Sequence, residues 1–122
     1  MLNARVKRIY EDPRADDGVR VLVDRLWPRG VSKVRAKLDS WEKCLAPGTA
    51  LRTGWHHDPE QFSEFAERYR AELKAAPDAQ HEIAHLRTLL AEGTPVTLLY
   101  AARDPQINHA QVLAAYLNDT ER

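Results

Sequence analysis

Two clusters of charged side chains in this 122-residue chain lie where strands should end, and both suit the holding of an anion. In the first, the apolar run Val19-Arg20-Val21-Leu22-Val23 passes abruptly into Asp24-Arg25-Leu26-Trp27-Pro28-Arg29-Gly30. A guanidinium grips a carboxylate or phosphate through two parallel hydrogen bonds, which lysine cannot imitate, so Arg25 and Arg29 together suit a phosphate-sized group. Pro28 prevents a regular helix between them, so their convergence depends on the turn. Gly30 allows backbone to approach a ligand closely, and Trp27 can wall off a base or sugar. The competing reading has Asp24 paired with one arginine and Trp27 stacked on the other, which fixes the loop and nothing more. No glycine-rich run precedes a lysine and a Ser or Thr, so this is not a phosphate loop of that type.

The second cluster is Tyr100, Arg103, Asp104, Asn108 and His109, between an apolar run and a helical one. Helix N-termini carry unpaired N–H groups and partial positive charge, so Arg103 beside one makes an anion seat. Tyr100 and Asn108 can orient a ligand, and His109 can exchange a proton near neutral pH or serve only as a polar helix start. Asp104 and Asn108 compete for the role of helix cap. His57, beside Asp58, is placed to reach the same region.

Metal chemistry has little support. His56-His57-Asp58 puts two imidazoles on consecutive residues, which regular structure rarely aims at one ion, and no Cys-x-x-Cys occurs. His81 and His85 have helical spacing but sit on a polar helix surface. Cys44 has no neighbouring base and reads as an inert thiol. No metal or cofactor is expected.

These residues need a scaffold. Alternation in residues 2–10 and the apolar run 19–26 predict two strands, joined by a loop too short for a helical crossover, so they are either antiparallel or non-adjacent. Ser32 can cap a short helical turn, residues 39–46 form a weak strand, and Thr49 opens a short helix towards Trp55. Asp58, Pro59 and Gln61 supply a cap, a first-turn proline and a capping-box partner for a helix over 59–74. Pro77-Asp78 starts the next helix, which Gly93 stops; residues 96–101 are a buried strand, and a last helix covers 108–118. The late helix-strand-helix order implies an α/β fold, a single small domain over residues 1–122 with about four mostly parallel strands flanked by helices.

With 18 basic and 18 acidic residues the formal charge is zero, which gives no reason to expect nucleic acid, although Arg5, Lys7 and Arg8 could form a local basic patch. One cysteine excludes an internal disulfide, no apolar run approaches membrane length, and nothing near Met1 resembles a signal peptide, so a cytoplasmic location is expected.

The segments RVLVDRLWPRG (20–30), LAPGTALRTGWHHDPEQFSEFAERYRAEL (45–73) and TLLYAARDPQINHAQV (97–112) resemble the YeaO-like family of small bacterial proteins, a domain of unknown function. The resemblance covers nearly the full length and implies a compact α/β domain. It attaches to Asp24, Arg25, Trp27, Pro28, Arg29, Gly30, Trp41, His57, Asp58, Tyr69, Tyr100, Arg103, Asp104, Asn108 and His109. One departure is Thr53-Gly54-Trp55-His56, where the family pattern leads to a more apolar, aromatic-rich helix end.

Together these features lead to an expected pocket between residues 24–30 and 100–109 for a small phosphorylated or nucleotide-like ligand. Arg25, Arg29 and Arg103 hold the anion, helped by Trp27, Gly30, His57, Tyr100 and Asn108. Asp24, Asp104 and His109 supply acid/base function if metal-independent hydrolysis or group transfer occurs. The alternative is a non-enzymatic ligand-sensing or protein-interaction domain using the same arginines.

Overall fold

A computed structural model describes residues 2–119. Four short strands, β1 (Arg5–Arg8), β2 (Val19–Leu22), β3 (Ser40–Trp41) and β4 (Val96–Tyr100), form one sheet in the order β1-β4-β2-β3. Every pairing is parallel, with Val19 opposite Val96 and Arg5 opposite Thr97. The helices are α1 (Lys33–Ala36), α2 (Thr49–Trp55), α3 (Phe62–Ala75), α4 (Pro77–Ala91) and α5 (His109–Asn118).

The first two strands are therefore non-adjacent, with β4 inserted between them. A four-residue strand advances only about 13 Å, so the ten-residue connection that follows β1 can return the chain with no more than a 3-10 turn at Ala15–Asp17. That loop is tied down by Asp17. Its carboxylate accepts from Arg20 Nη1 at 2.5 Å, Lys7 Nζ at 3.1 Å and the Arg14 amide at 3.0 Å, and its carbonyl from Thr97 Oγ1 at 2.8 Å. Arg20, an arginine on a central strand, is buried at 4 % exposure because this partner and the Ala36 carbonyl satisfy it. Gly18 follows at φ +67°, where an added Cβ would lie 2.2 Å from the Pro95 oxygen, so both conformation and space demand glycine.

Strand alternation divides the core. Val21, Val23, Val96, Leu98 and Tyr100 face α3, α4 and α5, where Leu73, Ile83, Leu86, Leu90, Leu113 and Leu117 are buried. Leu22 and Leu99 face the other way onto Ile9, Val31 and Ala36, a much thinner layer. Most helix signals act as expected: Ser32 Oγ accepts from the Arg35 amide, and Asn108 Oδ1 from the Gln111 amide, starting α5. Differences are local. Asp58 caps a 3-10 turn at Pro59–Gln61 through the Glu60 amide, so α3 begins later than the capping-box spacing suggests. The expected strand over 39–46 is confined to Ser40–Trp41 because a 3-10 turn at Lys43–Leu45 follows at once. Among the described residues, no helix is long and apolar enough to cross a membrane.

Candidate functional site

β2 and β4 lie side by side and parallel, so the loops leaving them open on one edge of the sheet. The chain leaves β2 towards the face that α1 covers and leaves β4 towards the face that α5 covers. That divergence opens a crevice beyond the strand ends, the usual ligand position in open α/β sheets.

Asp24 ends the β2 ladder. Val23 still donates to the Leu99 carbonyl at 3.0 Å, but the next inter-strand donor, the Ala101 amide, goes to Asp24 Oδ2 at 3.0 Å. The side chain replaces the backbone as acceptor, which is why β2 stops short of the apolar run's end. Trp41 Nε1 donates to the Asp24 carbonyl at 2.6 Å and fixes the same residue from β3. The other carboxylate oxygen, Oδ1, lies 3.0 Å from His109 Nε2, which is also 3.0 Å from the Val23 carbonyl. Both neighbours are acceptors, so Nε2 carries a hydrogen. The hydrogen aligns with Val23, and Asp24 Oδ1, buried, has no hydrogen-bond partner among the described residues.

The facing wall comes from α2 and the turn after it. His56 and His57 both adopt left-handed backbone, at φ 52° and 55°, a region that non-glycine residues rarely occupy. The turn carries the His57 ring back onto Trp55, 4.6 Å between centroids. Trp55 is fixed by Nε1 donating to the Asp58 carbonyl at 2.8 Å and by stacking on Phe65 at 4.0 Å. Phe65 continues through Tyr69, 5.8 Å away, to His109, 6.1 Å from Tyr69, so an aromatic ladder joins the two walls. Tyr69 is wholly buried and donates its hydroxyl to the Leu45 carbonyl. Burial first, then the nearby Asp24 charge, pushes its phenol well above the usual range.

Between the walls is a pocket of about 140 Å³ lined by Asp24, Arg25, Arg52, His57 and His109, with Leu26, Pro47, Trp55 and Phe65 among its apolar lining. Arg25 makes a long contact from Nε to the Pro47 carbonyl, 3.4 Å. Arg52 Nε is buried with no acceptor among the described residues. Burial, then the charges of His109 and Arg52, hold His57 below its ordinary 6.5, against a smaller opposite pull from Asp24.

Of the three arginines expected to converge, Arg25 alone lines this pocket; Arg29 and Arg103 are exposed and lie outside its lining. The reason is visible in the loop. Trp27 packs edge-on against Trp41 at 5.3 Å, donates to the Val31 carbonyl at 2.7 Å, and belongs to the thin layer on the α1 side. The Tyr10 hydroxyl holds the Arg29 carbonyl at 2.9 Å, and Gly30, at φ +73°, has open space beside it. Tyr100 is buried in the thicker core. Asp104 is exposed and accepts from the Gln106 and Ile107 amides at 2.8 and 3.1 Å, while Asn108 caps α5 and donates to the Asp104 carbonyl at 2.8 Å. Asp24, His109, Arg25 and His57 are thus brought together, whereas Trp27, Arg29, Gly30, Tyr100, Arg103, Asp104 and Asn108 are not among the lining residues. Arg52 is the residue that sequence reasoning missed; nothing in its spacing links it to Asp24.

Other clusters hold less. Among the described residues no three His, Cys, Asp or Glu side chains form a group able to hold a metal. The basic residues of β1 are engaged internally: Arg5 on the Asp16 carbonyl, Lys7 on Asp17, and Arg8 on the Ala101 and Ala102 carbonyls.

Comparison with known proteins identifies the family. Residues 3–122 match a family described as the inactive DUF488-N3 subclade. The chain is 44% identical over 117 residues to the uncharacterized protein YeaO of Escherichia coli (strain K12), covering 95% of this chain and 97% of that protein. It is 47% identical over 116 residues to the uncharacterized protein Rv3073c of Mycobacterium tuberculosis (strain ATCC 25618 / H37Rv), covering 93% and 92%. No solved structure gives a significant match. A family match over almost every residue, together with relatives aligned nearly end to end, means that the chain belongs to the YeaO-like bacterial proteins of the inactive DUF488-N3 subclade.

Proposed function

We propose that this domain binds a small anionic ligand, a phosphate or carboxylate, in the pocket between Asp24 and Arg52, and does so without turning it over. The observation that carries this reading is Arg52: a buried guanidinium N–H with no acceptor costs about 1–3 kcal/mol, and an anion in the adjoining pocket removes that penalty. Arg25, weakly engaged on a carbonyl, supplies a second guanidinium, and His57 a donor when protonated. The description of the matching family as inactive favours binding over turnover. So does the engagement of Asp104, whose carboxylate is taken up by two backbone amides. A cytoplasmic setting belongs to the same proposal.

Isothermal titration with inorganic phosphate and short carboxylates tests it, using wild type and Arg52→Met. Saturable binding that falls at least about tenfold in the variant is the expected result, since a charge-assisted hydrogen bond contributes about 1.5–3 kcal/mol. Binding of equal strength in both proteins contradicts it. The rival enzymatic reading predicts conversion of a bound ligand that is lost in His109→Ala.

A further inference from the structure

The pocket leaves two buried polar atoms without hydrogen-bond partners among the described residues, and they are of opposite kinds. Arg52 Nε is a donor, and Asp24 Oδ1 is an acceptor whose neighbour His109 directs its hydrogen to Val23 instead. A bare carboxylate answers only the first. A ligand that answers both carries an anionic group and, close to it, a hydroxyl or other donor. Charge narrows the class further: two guanidiniums against one carboxylate leave a single positive charge to balance, and a polyanion meets repulsion from Asp24. Size narrows it again, because a pocket of about 140 Å³ admits only a small molecule, and Leu26, Pro47 and Ala102 make part of the lining apolar.

We propose that the ligand is a small monoanionic hydroxy acid, its carboxylate held by Arg52 and Arg25 and its hydroxyl donated to Asp24 Oδ1. This rests on the anion-binding reading of the same pocket and adds the identity of the second contact. No covalent step is involved.

Lactate and propionate share a body and a carboxylate and differ by the hydroxyl, so they isolate the claim. Titrated into ¹⁵N-labelled full-length protein and followed at Asp24, Arg25 and Arg52, lactate is expected to bind on the order of tenfold more tightly than propionate, the size of one hydrogen bond to a charged acceptor. Asp24→Asn, which removes the acceptor's charge at constant shape, is expected to narrow that ratio; the wild-type ratio decides the matter should the variant fail to fold. Equal affinities for lactate and propionate overturn the hydroxy-acid assignment while leaving the anion site intact. So does saturable binding of inorganic phosphate with no response to either acid. Silence towards all three overturns both.

Discussion

Arg52, through a donor, and Asp24, through an acceptor, carry penalties for the same reason, that each holds a polar atom out of water without a hydrogen-bond partner among the described residues. A site that exists for binding trades stability for function, and the trade is measurable in the free protein. Arg52→Met keeps the apolar stem and removes the buried N–H, so we expect unfolding free energy in urea to stay level or rise by up to about 1 kcal/mol while anion binding is lost. A loss of several kcal/mol would assign Arg52 a structural role instead. His57 gives a second residue-scale prediction. Burial and the neighbouring His109 and Arg52 charges hold its folded pKa below 6.5, so its contribution to stability is present above the unfolded value and is lost as pH falls through the folded one. A bound anion favours the protonated ring. NMR titration of the His57 ring should therefore show its pKa rising when phosphate is added, and phosphate affinity should increase as pH is lowered from about 8 to about 6.

At the scale of elements, the short strands make the loop after β1 as important as any helix. Asp17 is its anchor. Burial alone would raise its pKa, but the Arg14 amide and the Lys7 and Arg20 side chains outweigh that and bring it below 3.8. Because the folded value is depressed, the stability it contributes is complete above 3.8 and is lost as pH falls through the folded value; acid unfolding should show this loss in wild type and lack it in Asp17→Asn. The same variant leaves Arg20 buried without its counter-charge and should cost about 3–5 kcal/mol in denaturant melts. Gly18→Ala should be comparably damaging, by about 2 kcal/mol or more, since strain at φ +67° is compounded by collision with the Pro95 carbonyl. An alanine variant as stable as wild type would contradict the close approach.

Across the whole molecule, what was legible in the chain follows from local rules, and what was not follows from turns. Helices announced themselves through caps, such as Ser32 and Asn108, and the parallel sheet through the alternation of helix and strand. Asp24 was legible as the end of a strand because a carboxylate follows the apolar run directly, and its Oδ2 takes the Ala101 amide there. The shape of the loop around Pro28 was not legible: it depends on Trp27 finding Trp41 on the α1 side, a contact no spacing encodes, and that contact accompanies the exclusion of Arg29 from the pocket. Arg52 was hidden for the converse reason, since only tertiary packing brings the last turn of a short helix opposite Asp24. Zero formal charge means that no net charge gathers anions, so the proposed recognition depends on these local groups. The most direct test is therefore the NMR signal of the Arg52 Nε–H during titration with inorganic phosphate. Saturable movement of that resonance, with slowed exchange of its hydrogen, is the predicted result; a signal that stays fixed while phosphate is raised to saturation elsewhere, or throughout, would contradict the proposed anion site.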